Sequence, residues 1–495
     1  MTAAATIEIT LISHTNAGKT TLARTLLGRD IGEVRDAPHV TDVSESHTLI
    51  KTDHGDVLRL WDTPGFGDTT RLVARLRNAD NPIGWLLREV WDRWRDRPLW
   101  CSQQAIRTAR DASDVVLYLV NASEQPQDSG YLLPEMQVLG WIERPTIVLL
   151  NQIGPPRSAV EERAEIERWR TYMAPHRFVG EVLALDAFAR CWVQERVLLD
   201  AVGRALAAAK QPAFARLRSQ WDARNSERLA SAMQVLAEQL VSAARDREPL
   251  DQSTTPGTLQ KVLLAVGVGR DRIDAAREHS MAQLAERLDR EIRRSTDRLI
   301  ALHGLDGAAT QVVLERLQRN YARSDHLDEG RVTLWSGALT GALSGLKADV
   351  VSGGLTLGAG MLIGSVVGGL AGLGIARGYN KLGGAAKPDV HWTEDFLNGL
   401  ATSALLRYLA VAHFGRGRGR YVEGEAPAFW MNEVASVLQP RVQAFRDLWK
   451  RARTEPSQQS IENDVAQALT EAMNELLSRL YPATERAMRH PSSLS

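Results

Sequence analysis

Eight residues, SHTNAGKT from Ser13 to Thr20, carry the groups needed to hold a polyphosphate. In a loop of the form GxxxxGK[ST], here with serine in place of the first glycine, successive backbone amides and the N-terminus of the next helix surround the phosphates. Gly18 lets the backbone come close to the anion, Lys19 reaches the β- and γ-phosphates, and the Thr20 hydroxyl is a ligand for Mg²⁺. The expected binding set is Asn16, Ala17, Gly18, Lys19, Thr20 and Thr21. Further on, LRLWDTPGFGD (Leu58 to Asp68) ends an apolar run in Asp-Thr-Pro-Gly. Asp62 is expected to hold the same Mg²⁺ through water and the Gly65 amide to meet the γ-phosphate. Thr41, in APHVTDVS, is placed to close over both when a triphosphate binds. The metal set is then Thr20, Thr41 and Asp62, and Lys19, Thr41 and Gly65 act on the terminal phosphate.

Such groups need a rigid frame. From Ile7 to about Leu206, β-rich runs alternate with helical stretches: IEITLIS, TLARTLLG, VLRLWD, DVVLYLV, TIVLL and EVLALD. That order predicts a mostly parallel sheet covered by helices. DVVLYLV and TIVLL are nearly continuous in apolar residues, as strands buried on both faces should be. The expected fold is an α/β phosphate-loop domain over residues 1–210, with an insertion at about 80–104, followed by a mainly α-helical C-terminal region. Within that region, LASAMQVLAEQLVSAA and MAQLAERLDREIRRSTDRLIALH place apolar residues three and four apart, which predicts helices over 211–331. A glycine-rich hairpin is expected at 332–384 and further helices at 385–495.

SHTNAGKTTL, Thr41 and WDTPG together resemble the TrmE–Era–EngA–septin branch of the bacterial GTPases, over roughly residues 6–206. The resemblance implies GTP and Mg²⁺ as ligands, and a switch whose Thr41 loop and post-Gly65 segment are ordered by the γ-phosphate. It also implies that Asn16 matches the loop asparagine of potassium-activated members, which pair through their nucleotide domains and use K⁺ in hydrolysis. The departures are specific. Phe66 stands where many regulatory GTPases carry a water-orienting glutamine, so slow hydrolysis is expected. The family's base-reading NKxD is replaced by Asn151, Gln152 and Gly154 in LLNQIG; without an aspartate to accept from guanine, ATP remains an alternative ligand. Ala184, Leu185 and Asp186 occupy the place of the loop whose backbone amide meets the guanine oxygen, which puts Leu185 beside the base.

Lysine plus arginine balances aspartate plus glutamate at 60 each, so no global charge argues for a nucleic-acid partner. Two cysteines make no disulfide framework and fit the cytoplasm. GWLLREVWDRWRDRPLW sets Leu87, Trp91 and Trp94 on one helical face, either packed on its own domain or offered to a protein or membrane partner. Gly337, Gly341 and Gly345, then Gly360, Gly364, Gly368 and Gly372, recur every four residues, a spacing that lets two helices approach backbone to backbone. Val350 to Ala376 holds no charge, so attachment to the inner face of the cell membrane and a soluble buried hairpin both stay open. GRGRGRY, Gly415 to Tyr421, is a short basic turn. Two functional classes follow: a slow, regulated GTP switch that moves the helical region, or a nucleotide-binding scaffold for protein partners.

Overall fold

The computed structural model describes residues 4–28, 44–76, 82, 84, 96–153, 159–185, 192–249, 270–305, 375–380, 387–413 and 428–481. Thr41, Gly154, Asp186, the three insertion residues Leu87, Trp91 and Trp94, the seven spaced glycines and GRGRGRY lie outside them.

The first unit runs β1 (Thr6–Ser13), α1 (Lys19–Leu27), β2 (Glu45–Lys51), β3 (Val57–Asp62), α2 (Thr69–Leu76), α3 (Arg97–Asp111), β4 (Val115–Asn121), α4 (Leu132–Ile142), β5 (Thr146–Asn151), α5 (Ala159–Met173), β6 (Val179–Ala184) and α6 (Trp192–Ala205). Its sheet has the order β2-β3-β1-β4-β5-β6. Only the β2–β3 pairing is antiparallel. β1 is therefore central, and its C-terminal end opens towards the loop that carries the phosphate motif. Side chains alternate across the sheet with period two. Ile9, Leu11, Leu117 and Leu149 face α1 and α6 in one core, while Ile12, Val116, Tyr118 and Val148 face α2, α3 and α4 in the other. The sequence pattern shows every strand except β2. ESHTLIK is an edge strand in which only Ile50 is buried, so it has no apolar rhythm to reveal it.

Helix α7 (Gln211–Arg245) places Phe214, Leu217 and Trp221 in the same core as β1. The first compact unit comprises residues 1–227, 412–427 and 481–495, so it takes in the start of this helix. A bidentate pair ties this helix to the β2–β3 turn: Arg216 Nε and Nη2 donate to Asp56 at 2.7 and 2.9 Å. The buried Asp56 carboxylate also accepts from the Ala5 amide and the Thr52 hydroxyl. Arg216 above all holds its pKa down at about 2. A depressed carboxylate stabilises the fold above its unfolded pKa, so this contribution should fade as pH falls from about 4 through 2. Asp56→Ala is expected to cost about 2–3 kcal/mol, read from the urea midpoint at pH 7, because it removes the acceptor of four hydrogen bonds.

The second unit comprises residues 228–411 and 428–480. Within it lie the end of α7, β7 (Arg247–Pro249), α8 (Arg270–Leu302), β8 (Ile375–Asn380), β9 (Lys387–Trp392), α9 (Glu394–Ala412), α10 (Ala428–Leu438), α11 (Val442–Thr454) and α12 (Gln458–Leu480). It is mainly helical, as expected, and also holds a small sheet. Residues 375–380, the end of the stretch read as a glycine hairpin, form strand β8 in an antiparallel β7-β9-β8 sheet. IARGYN and KPDVHW are short and polar, and pairing with one another makes them strands. Among the described residues, no helix is long and apolar enough to cross a membrane.

Candidate phosphate and metal site

β1 ends at Ser13, the chain turns through residues 14–18, and α1 begins at Lys19. Two residues of the turn are left-handed, Asn16 at φ 66° and Gly18 at φ 89°. Asparagine tolerates that region; at Gly18 a second constraint applies, since a Cβ there would lie 2.6 Å from Asn151 Nδ2. From the end of β5, Asn151 Nδ2 donates to the Ala17 carbonyl at 2.7 Å and Gln152 Nε2 to the Asn16 carbonyl at 3.4 Å. From the β3 side, the Phe66 amide donates to Ser13 O at 2.9 Å, and the Thr15 hydroxyl donates to Phe66 O at 2.7 Å. The Asn16 and Ala17 carbonyls are thus held towards β5, while the Thr15 and Ala17 amides donate to Phe66 O at 3.3 Å and His14 O at 3.4 Å.

Lys19 is nearly buried, and its Nζ donates to Ser13 Oγ at 3.1 Å. The serine that departs from the glycine pattern thus supplies a hydroxyl that orients the lysine, a role its position alone did not reveal. Gly65 sits against the same ammonium: a Cβ on it would lie 3.2 Å from Lys19 Nζ and 3.0 Å from Thr15 Cα. The Thr20 hydroxyl donates to Asp62 Oδ2 at 2.7 Å. Asp62 Oδ1 is buried without a hydrogen-bond partner. Burial pushes the Asp62 carboxyl up, opposed by Lys19, and pushes the Lys19 ammonium down, opposed by Asp62 and then Glu135. An unsatisfied buried carboxylate oxygen beside a threonine hydroxyl is an oxygen donor set that fits Mg²⁺. Thr21 is buried behind the loop, where its carbonyl accepts from Thr25.

Leu185, expected beside the base as part of the 184–186 loop, is placed at the end of β6. Its amide donates to Leu150 O at 3.0 Å, continuing the β5–β6 ladder, and the side chain is buried in the core. Phe66 is wholly buried, with no polar side-chain group to orient water. The segment after it meets α3 closely: the Gly67 amide donates to Ser102 Oγ at 3.1 Å, and a Cβ on Gly67 would lie 2.5 Å from Pro98 Cβ. Gly67→Ala should therefore displace this segment and lower stability by about 1–3 kcal/mol, measured by denaturant unfolding.

Sequence reasoning also missed a buried carboxylate beside the loop. His14 Nδ1 lies 2.7 Å from Glu135 Oε1, and the Tyr118 hydroxyl donates to Glu135 Oε2 at 2.6 Å. The His14 ring stacks on Tyr131 with centroids 4.3 Å apart. No local signal joins residues 121 positions apart.

A β1–loop–α1 phosphate cradle at the centre of this sheet order defines a P-loop GTPase domain, and residues 8–152 match the family described as "50S ribosome-binding GTPase". The chain belongs to the family described as "Domain of unknown function (DUF3482)", which matches residues 177–481 and so takes in β6 and α6 of the nucleotide domain as well as the helical unit. Among curated proteins no relative matches the chain. Similar solved structures include a single-residue variant of Aquifex aeolicus Era bound to GDP.AlF4-, at 16% identity and TM-score 0.29, covering 59% of this chain and 89% of that one. The FeoB G-domain from Methanococcus jannaschii is 17% identical with TM-score 0.20, over 37% of this chain and 86% of that one.

Proposed function

We propose that the protein is a GTP-binding switch with slow, regulated hydrolysis, whose nucleotide state repositions the helical C-terminal region. The observation that carries this reading is the meeting of Lys19, Gly65 and the Thr20–Asp62 pair at the end of β1. Lys19 holds the terminal phosphates, the loop amides of 16–20 bind the rest, and Thr20, Asp62 and Thr41 would hold Mg²⁺. A Mg²⁺ held there would offset negative charge on the phosphates. Asn16 is the residue assigned to K⁺, and pairing of nucleotide domains would complete that site. Phosphate release from saturating GTP, faster in K⁺ than in Na⁺ and lost in Lys19→Ala, is the expected result; no release from tightly bound GTP would overturn the switch.

A scaffold that binds GTP or ATP with little hydrolysis is the second reading, favoured by the buried Phe66. With Gly154 in place of an aspartate, rejection of ATP should fall well below the roughly 10⁴-fold of a site built around polar readout, and Gly154→Asp should raise GTP preference. We assign the protein to the cytoplasm, with the helical region as the part that meets a protein partner or the inner membrane face. Flotation with liposomes, lost on deleting 332–384, tests the membrane version.

A further inference from the structure

Glu135 lies in the first turn of α4 and is fully buried, yet it is a carboxylate beside an anion-binding loop. Burying a carboxylate is costly, and an apolar side chain would fill the same space with less penalty. Burial pushes its carboxyl up, and the hydrogen bonds of His14 and Tyr118 oppose that. Its charge also acts on Lys19, against the attraction of an incoming phosphate. What it provides is a fixed acceptor. One oxygen takes the Tyr118 hydroxyl, which anchors the carboxylate to β4; the other takes His14 Nδ1. Whichever of the two groups carries the proton, it lies between Nδ1 and Oε1 and keeps the bond in place. The imidazole is held in its plane by that bond and across its face by Tyr131.

His14 is the first residue of the phosphate loop. The carbonyls of Asn16 and Ala17 are fixed from β5, and Ser13 and Thr15 are fixed by Phe66. His14 supplies the third hold, from β4 and α4. With left-handed residues at 16 and 18, the loop has other conformations to adopt, and each hold in place before binding lowers the ordering cost when phosphate arrives.

We propose that Glu135 is a positioning residue of the phosphate loop, acting through His14 to set the loop before nucleotide binds. The inference rests on the nucleotide reading above. The test is titration of the full-length protein and its variants with a fluorescent GDP analogue, alongside thermal unfolding without nucleotide. His14→Ala and Glu135→Leu should each weaken binding about tenfold, the scale of one hydrogen bond to a charged group. The double variant should be no weaker than the singles, since both remove one clasp. His14→Asn, whose amide nitrogen can take the place of Nδ1, should bind within about threefold of wild type. If Glu135→Leu does not fold, the two His14 variants still decide. Unchanged affinity in His14→Ala, equal losses in His14→Ala and His14→Asn, or additive losses in the double variant would overturn the proposal. Wild-type protein that binds no analogue, or Lys19→Ala that binds it as well as wild type, would remove the nucleotide reading itself and this inference with it.

Discussion

Lys19→Ala is expected to lower triphosphate affinity by about a hundredfold or more and to leave the nucleotide domain folded. The ammonium is almost wholly buried and is aimed by Ser13 Oγ at the place where Gly65 approaches. Two carboxylates, Asp62 and Glu135, act on it electrostatically. With the lysine gone, an incoming phosphate would face both without a countercharge. Truncating one partner of a buried, hydrogen-bonded charge pair costs about 2–5 kcal/mol, and each 1.4 kcal/mol is about tenfold. Calorimetric titration with Mg²⁺ and GTP measures the loss. Affinity within a factor of about three of wild type would show that phosphate does not bind in this loop, because no other side chain in it is placed to replace the charge.

The second large effect should have opposite signs in two measurements. Asp62→Asn removes the carboxylate from the proposed metal donor set, so affinity for the Mg²⁺ triphosphate should fall by about tenfold or more. Without nucleotide, the same change should leave thermal stability unchanged or raise it. Asp62 carries a buried, unsatisfied oxygen, and its carboxyl is pushed above the ordinary value by burial despite Lys19. A carboxyl whose folded pKa is raised weakens the fold when ionised, and that loss disappears as pH falls below its folded pKa. The nucleotide-free protein should thus respond to acid in the opposite direction at Asp62 and at Asp56, whose carboxylate stabilises it. A lower melting temperature in Asp62→Asn without nucleotide would mean that Asp62 is needed for the fold itself, and the assignment of its cost to a metal site would fail.

Much of the nucleotide domain was legible in the residues alone, for a local reason. The cradle of residues 13–20 depends on one glycine at φ 89°, one lysine and one threonine within a few positions of a strand end, and short-range geometry carries that arrangement from sequence to structure. The buried central strands announce themselves because both faces are apolar; β2 does not, because its neighbours cover only Ile50. DTPG, reached through the parallel pairing of β1 and β3, places Asp62 against Thr20 as the motif requires.

Other features depend on pairs distant in sequence, and the folded chain alone decides them. Glu135 is an ordinary helical glutamate until β4 and α4 bring it to His14. Leu185 follows a strand-like run, and its amide extends the ladder because the register between β5 and β6 sets it against the Leu150 carbonyl. The end of the first unit could not be read at a linker, because α7 is one continuous helix whose Phe214, Leu217 and Trp221 fill a core built by β1, α1 and α6. Strands β8 and β9 have no apolar period of their own; Ile375 to Asn380 become a strand by pairing with Lys387 to Trp392, since backbone groups that leave water must find partners wherever the fold supplies them.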